Sequence, residues 1–299
     1  MKLPVTVTEI TRVDARGALT AEAEAVVARS SFYAAMRILP PVQRKAMFEI
    51  YRFCRAVDDV ADGRGTPRDR LEQLESWRSD INALFEGRLS RRTEPLSAPI
   101  RAFGLLREDF LSIIDGMEMD AAADIRAPEF AMLDLYCDRV ACAVGRLSVR
   151  VFGMPQEQGI ALAFHLGRAL QVTNILRDLD EDAGKRRLYL PREILRAAAI
   201  GETEPEAVLS HPALGIACSS LADHTREHFA AAQRIMARQG LPGTRTPRLM
   251  ASVYQNVLER LLARGWAPPR RPIGIGRTKL LWMLLVDGLI AGGLRYERR

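Results

Sequence analysis

Four aspartates stand at spacings that could hold a divalent cation. In FEIYRFCRAVDDVAD, residues 48–62, Tyr51, Arg55, Asp58 and Asp62 follow one another at intervals of four, three and four. In ALQVTNILRDLDED, residues 169–182, Gln171, Asn174, Asp178 and Asp182 follow at three, four and four. At 100° per residue each set falls on one face of a helix. Carboxylates four apart lie within about 6 Å at Cβ and repel by roughly 0.2–0.5 kcal/mol in an isolated helix. A divalent cation between them reverses that sign. A solvated face is the ordinary reading of one such pair. The neighbours argue against it, because Ile50, Phe53, Ala56, Val57 and Val60 in the first segment and Val172, Ile175, Leu176 and Leu179 in the second are apolar. A polar stripe along a buried helix needs a partner.

The donors on both stripes are oxygens, the set hard cations such as Mg²⁺ choose, with substrate phosphates and water completing the shell. Arg55 lies on the first stripe, and Arg177, Lys185, Arg186 and Arg187 flank the second. Arginine pairs with phosphate through two parallel hydrogen bonds. The combination suggests Mg²⁺ clamped between carboxylates and a diphosphate. The basic run 185–187 reads equally as a solvated loop.

No other constellation competes. Walker, GxGxxG, HExxH and GxSxG motifs are absent. His224 and His228 are four apart in a segment that reads as exposed, with no third ligand evident. Cys54, Cys137, Cys142 and Cys218 lack CxxC or zinc spacing and read as free buried thiols. A net charge of +6 suits a polyanionic substrate, anionic lipid or nucleic acid. With aromatics at only 6% and none interleaved with a basic run, no nucleic-acid partner is expected.

Helical periodicity must supply the frame. Ser30 and Ser31 offer N-caps for a helix over 31–38, which Pro40-Pro41 ends, and a second helix runs over 41–61 to the break at Gly63–Pro67. Further helices are predicted over 69–86, 97–104, 107–119, 129–152, 156–182, 213–239, 245–264 and 277–290. Residues 183–191, AGKRRLYLP, read as a basic loop. The expectation is an all-α, single-domain helical bundle over residues 1–299. The opening MKLPVTVTEI is too polar for a signal peptide, so a cytoplasmic location is expected. The apolar stretch 280–294 contains Asp287 and three glycines and reads as a packed terminal helix. Arg270, Arg271, Arg277 and Lys279 precede it. That pattern fits peripheral contact with an anionic inner-membrane surface and, equally, a solvated loop before a core helix.

SSFYAAMRILP, EIYRFCRAVDDVAD, YCDRVACAVGRLSVRVFG and LGRALQVTNILRDLDEDAGKRRLYLP together resemble the signatures of the squalene/phytoene synthase family, over about residues 27–290. IDGMEMD and CDRVACAVGRLSVR make the phrasing most similar to its bacterial hopanoid-pathway branch, which forms presqualene diphosphate. The resemblance implies an isoprenoid-synthase bundle around one deep cavity. It implies head-to-head joining of two farnesyl diphosphates with three Mg²⁺ ions, and no NADPH for that first step. By position, Asp58, Asp62, Asn174, Asp178 and Asp182 would face metal. Ser31, Tyr51, Arg55, Arg177, Arg187 and Tyr189 would face diphosphate. Phe32, Tyr136, Val140, Gln171 and Tyr254 would line the reacting centre, and Tyr51, Arg55, Tyr136 and Tyr254 form the implied catalytic set. One departure is visible: many members carry a basic residue where this chain has Ser30, with Arg29 one step earlier.

Phe48, two turns from Arg55 on the same stripe, and Met36 on the preceding helix are candidates for limiting prenyl length, or plain core. Within the family, full squalene synthesis with NADPH, phytoene synthesis from twenty-carbon substrates and hydroxysqualene synthesis are the neighbouring activities. A catalytically dead scaffold of the same fold is the non-enzymatic alternative, and it would have no need of two complete stripes.

Overall fold

The computed structural model describes Met36 and residues 38–122, 125–271 and 273. Among them the chain is helical, with a single isolated bridge between Arg126 and Leu188 and no strand. Ser31, Phe32, the helices expected over 31–38 and 277–290 and the basic residues Arg277 and Lys279 lie outside the described residues, apart from Met36 and Ile38 in the first of these helices.

α1 (Pro41–Ala61) starts with proline in its first turn. It buries Met47, Ile50, Phe53 and Val57, and the Phe53 ring meets the edges of Trp77 and Phe110 at 5.7 and 5.2 Å. α2 (Pro67–Phe85) opens with a capping box in which Thr66 and Asp69 satisfy each other's amides. α3 (Glu94–Phe103) and α4 (Arg107–Ala122) follow.

The helix expected over 129–152 forms as α5 (Phe130–Cys137), a π turn (Asp138–Cys142) and α6 (Ala143–Val151). The π turn needs room, and two glycines provide it. A Cβ on Gly116 of α4 would lie 2.5 Å from Val140 Cγ1, and one on Gly167 would lie 2.8 Å from Cys142 Cα. Arg146 and Arg168 hold the turn from outside, each reaching Asp138.

α7 (Gln156–Arg177) is the central helix, packed on α6, the π turn, α11 (Leu214–Met236) and α12 (Arg245–Arg264). Leu162, Ala169, Val172, Ile175 and Leu176 are buried on it. The single helix expected over 156–182 is not formed. α7 stops at Arg177, Asp178 leaves helical geometry at φ −102° and ψ 17°, and α8 (Leu179–Gly184) resumes. The basic loop therefore begins at Lys185, two residues later than expected. Two short helices not expected from the sequence, α9 (Arg192–Ala197) and α10 (Pro205–Ser210), connect it to α11.

The four cysteines are free thiols, Cys137, Cys142 and Cys218 being buried. Among the described residues no helix is long and apolar enough to cross a membrane.

Candidate active site

α1 carries Tyr51, Arg55 and Asp58 in register and ends on Asp62, whose amide bonds to Asp58 O at 3.0 Å. On the second stripe the bend at Asp178 keeps the spacing, because Asp182 N still reaches Asp178 O at 2.9 Å. The stripes face each other. Lys185 Nζ lies 2.8 Å from Asp62 Oδ2 and an Arg187 guanidinium nitrogen 2.8 Å from Asp62 Oδ1, so the loop after α8 reaches across to the end of α1. Arg186 between them adopts a positive φ of 60°.

Each cation expected to face diphosphate is held by a carboxylate expected to face metal. Arg55 forks onto Asp58 Oδ2 and Asp59 Oδ1, both at 2.7 Å. Arg177 grips Asp178 through two bonds of 2.7 and 2.6 Å, with Tyr254 also bonded to it. Burial would raise the Asp62 pKa, but hydrogen bonds from Lys185 and Arg187 outweigh it and hold the carboxyl below its usual range. Burial pushes Asp58 up to about 6, against the pull of Arg55 and with help from Asp62. Asp182 rises to about 7 through burial and the neighbouring Asp178 charge.

An apolar cavity of about 390 Å³ opens between α1, α6, α7 and α12. Tyr51, Asp58, Val140, Gln171, Asn174 and Tyr254 line it, bringing together expected residues from four separate segments. Asn174 Oδ1 is buried there with no hydrogen-bond partner. A buried acceptor without a donor is costly, and a hard cation would satisfy it. Among the described residues no three His, Cys, Asp or Glu side chains converge on one point that could hold an ion. The orphaned Asn174 Oδ1 and the carboxylates of the two stripes are an all-oxygen donor set of the kind Mg²⁺ takes, with a diphosphate supplying the remaining ligands.

Tyr136 and Tyr189 are not in the cavity lining. Their rings stack with centroids 5.0 Å apart, and both hydroxyls donate to Asp120, at 3.0 and 2.6 Å. Arg187 also donates to Asp120 O at 3.1 Å. Tyr136, expected at the reacting centre, and Tyr189, expected at diphosphate, form the two arms of a buried network on Asp120. Asp120 was not singled out from the sequence. It closes the segment IDGMEMD, but α4 carries four other acidic residues and the partners of Asp120 stand 16 and 69 residues away.

Arg270 is also corrected. It makes two-pronged contact with Asp180 and donates to the carbonyls of Leu209 and Trp266, with only 8% of its side chain exposed. It staples α8 in place and is not a surface cation for a membrane. His228 is likewise not exposed and alone with His224. Its Nδ1 lies 3.1 Å from Nδ1 of His165, and burial with the two neighbouring imidazoles lowers it to about 4. Met36 is buried and Phe48 packs on the core, and neither lines this cavity.

The model of the family described as squalene/phytoene synthase matches residues 26–278. The chain belongs to the squalene/phytoene synthase family. A presqualene diphosphate synthase of Rhodopseudomonas palustris is 52% identical over 267 residues, covering 89% of this chain and 96% of that one. Another, from Sinorhizobium fredii, is 54% identical over 246 residues, covering 82% and 88%. Among solved structures, a dehydrosqualene synthase in complex with ligand aligns at a TM-score of 0.77 and 23% identity over 91% of this chain and 96% of that one, a likeness of fold. The all-α expectation agrees with that fold.

Proposed function

We propose that the chain is a presqualene diphosphate synthase, joining two farnesyl diphosphates head to head with release of one diphosphate. The observation that carries this reading is the pairing of two facing acidic stripes with an apolar cavity, in a chain about half identical to enzymes of that name over most of its length.

Asp58, Asp62, Asn174, Asp178 and Asp182 would hold Mg²⁺, which when bound supplies charge neutralisation for a departing diphosphate. Arg55, Arg177, Lys185 and Arg187 leave their carboxylates and turn to the diphosphate oxygens, where they stabilise charge as the C1–O bond of the first substrate breaks. The C2=C3 bond of the second farnesyl diphosphate attacks that C1, and loss of a proton closes the cyclopropane of presqualene diphosphate. The apolar walls from Ala141 to Phe152 exclude water that would quench the allylic cation. Burial raises the Tyr51 pKa, so its phenol stays protonated. We assign proton acceptance to the released diphosphate. Asp120 fixes Tyr136, Tyr189 and Arg187 beside the first stripe.

Incubation with farnesyl diphosphate and Mg²⁺ without reductant, followed by mass spectrometry, tests the reading. Presqualene diphosphate is expected. No condensation product, or turnover only with geranylgeranyl diphosphate, would refute it. Squalene appearing only after NADPH is added would move the stopping point.

A further inference from the structure

We propose that His165 and His228 form a binding site for a late transition-metal ion of the Zn²⁺, Ni²⁺ and Cu²⁺ class, which ties α7 to α11. The site is separate from the acidic stripes, and the inference goes beyond the proposed function without resting on it. Two of the chain's four histidines meet here across 63 residues of sequence. His165 stands on α7, and His228 lies four residues beyond His224 on α11.

The geometry is that of a chelate. The two Nδ1 atoms are 3.1 Å apart and the ring centroids 5.2 Å apart, so the nitrogens face each other. Nitrogens at that separation can both lie about 2.05 Å from one ion, at an N–metal–N angle of about 98°, between the octahedral and tetrahedral values. The rings need only tilt for both lone pairs to converge on it. Without an ion, the Nδ1–H of one neutral ring donates to the Nδ1 of the other. On binding, that proton moves to Nε2, so both rings stay neutral and both Nδ1 lone pairs meet the metal.

The surroundings favour this state. Burial lowers the pKa of both imidazoles, helped at His165 by Arg168 and Arg234 and at His228 by His224, His165 and Arg168. A ligand imidazole must be deprotonated, and these two already are at pH 7. The Arg168 guanidinium would repel an ion, but Asp134 grips it at 2.6 and 2.8 Å, and the same carboxylate acts on His228. Both histidines are partly exposed, so an ion can enter and water can complete its shell. His224 is a neighbour and not a third ligand. Its ring is edge-on to His228 and to Phe130, each at 5.0 Å between centroids.

Imidazole pairs suit late transition metals, whereas Mg²⁺ takes oxygen. The two sites therefore sort ions by ligand chemistry. Asn174 lies nine residues along α7 from His165, about 13 Å at a rise of about 1.5 Å per residue. An ion on the histidine pair fastens the helix that carries Gln171 and Asn174 to the helix packed most extensively against it.

Calorimetric titration of Ni²⁺ into the full-length, metal-free protein tests the site, with excess Mg²⁺ present to compete for oxygen ligands. The unmodified chain is compared with His165→Gln, His228→Gln, His224→Gln and His211→Gln, each checked for folding by circular dichroism. One Ni²⁺ per chain is expected. His165→Gln and His228→Gln should each weaken it at least about tenfold, the smallest loss that follows removal of even an outer partner of a metal ligand. His224→Gln and His211→Gln should leave the affinity unchanged. Ni²⁺ should raise the melting temperature of the unmodified protein and not that of the two weakened variants. Electron paramagnetic resonance of one equivalent of Cu²⁺ on the unmodified protein should show two nitrogen ligands, a readout that needs no variant to fold. Unchanged Ni²⁺ affinity in His165→Gln, a loss in His224→Gln without one in His165→Gln, or Cu²⁺ held by oxygen alone would each overturn the assignment.

Discussion

Removing the Asp120 carboxylate tests how the site is held together. Tyr136 and Tyr189 are 7% and 5% exposed, and both hydroxyls end on this one side chain. Asp120→Ala strands two buried phenols, at about 1–3 kcal/mol each. The gross loss is thus about 2–6 kcal/mol, partly offset because a buried carboxylate is no longer desolvated, leaving about 2–4 kcal/mol. Asp120→Asn keeps one acceptor and should cost about 1–2 kcal/mol. Burial raises the Asp120 pKa despite hydrogen bonds from Tyr189 and Tyr136. A raised folded-state pKa gives stability that is present at low pH and lost as pH climbs through it, so the deficit of Asp120→Asn should shrink as pH rises above the ordinary carboxylate range.

Urea unfolding followed by far-ultraviolet circular dichroism, without metal, measures these differences. A double-mutant cycle of Asp120→Asn with Tyr136→Phe, and another with Tyr189→Phe, should each show a coupling of about 0.5 kcal/mol or more, since the pairs touch. Additive effects, or a cost for Asp120→Ala under about 0.5 kcal/mol, the range of an unremarkable surface substitution, would refute the network.

Asp58→Asn and Asp178→Asn should each reduce turnover to background with the helical spectrum intact, and a purified variant keeping most of its activity would sink the metal-clamp reading. A pH series on the metal-free protein should show the melting temperature falling from pH 6.5 to pH 8, because Asp182, raised to about 7, holds a proton in the folded state that the unfolded chain has already lost. Below pH 6.5 His228, lowered to about 4, acts in the opposite direction, so the slope is read above it. Substituting Asp182→Asn should flatten that slope, and a slope unchanged by this variant would contradict the assignment.

The acidic stripes were legible because helix geometry converts spacing into position, and the apolar neighbours fixed which face was unusual. The bend between them was not. Asp178 has no glycine or proline beside it, and the break coincides with its two-pronged bond to Arg177, a contact that spacing alone does not reveal. The π turn escaped for a similar reason. Its sequence is ordinary helix, and the space for it comes from Gly116 and Gly167 on other helices. Arg270 read as surface charge because its acceptors are Asp180, ninety residues away, and two carbonyls. α9 and α10 did carry signals, with Pro191 just before one and Pro205 at the start of the other, but each helix is only six residues long. Short helices leave too little periodicity to detect.

The ion pairs of the site carry one more consequence. Asp58, Asp62 and Asp178 are each neutralised by an arginine or lysine that should instead meet diphosphate, whereas burial and the Asp178 charge raise Asp182 to about 7. Partly exposed pairs of this kind are worth only about 0.2–1 kcal/mol each, so exchanging partners is easy once both new partners are present. With only Mg²⁺ bound, the displaced guanidinium and ammonium groups face a cation. With only diphosphate bound, the vacated carboxylates face an anion. Each ligand therefore removes the other's penalty, and binding should be reciprocally coupled by about 1–3 kcal/mol. Calorimetric titration of Mg²⁺ with and without inorganic pyrophosphate, corrected for their association in free solution, should show the ion bound at least about fivefold tighter in its presence. Lys185→Gln with Arg187→Gln should reduce that factor, because Asp62 then has no internal cation to release. Equal affinities in the two titrations would mean that the pairs do not exchange, and that the cations around Asp62 only hold the loop after α8 in place.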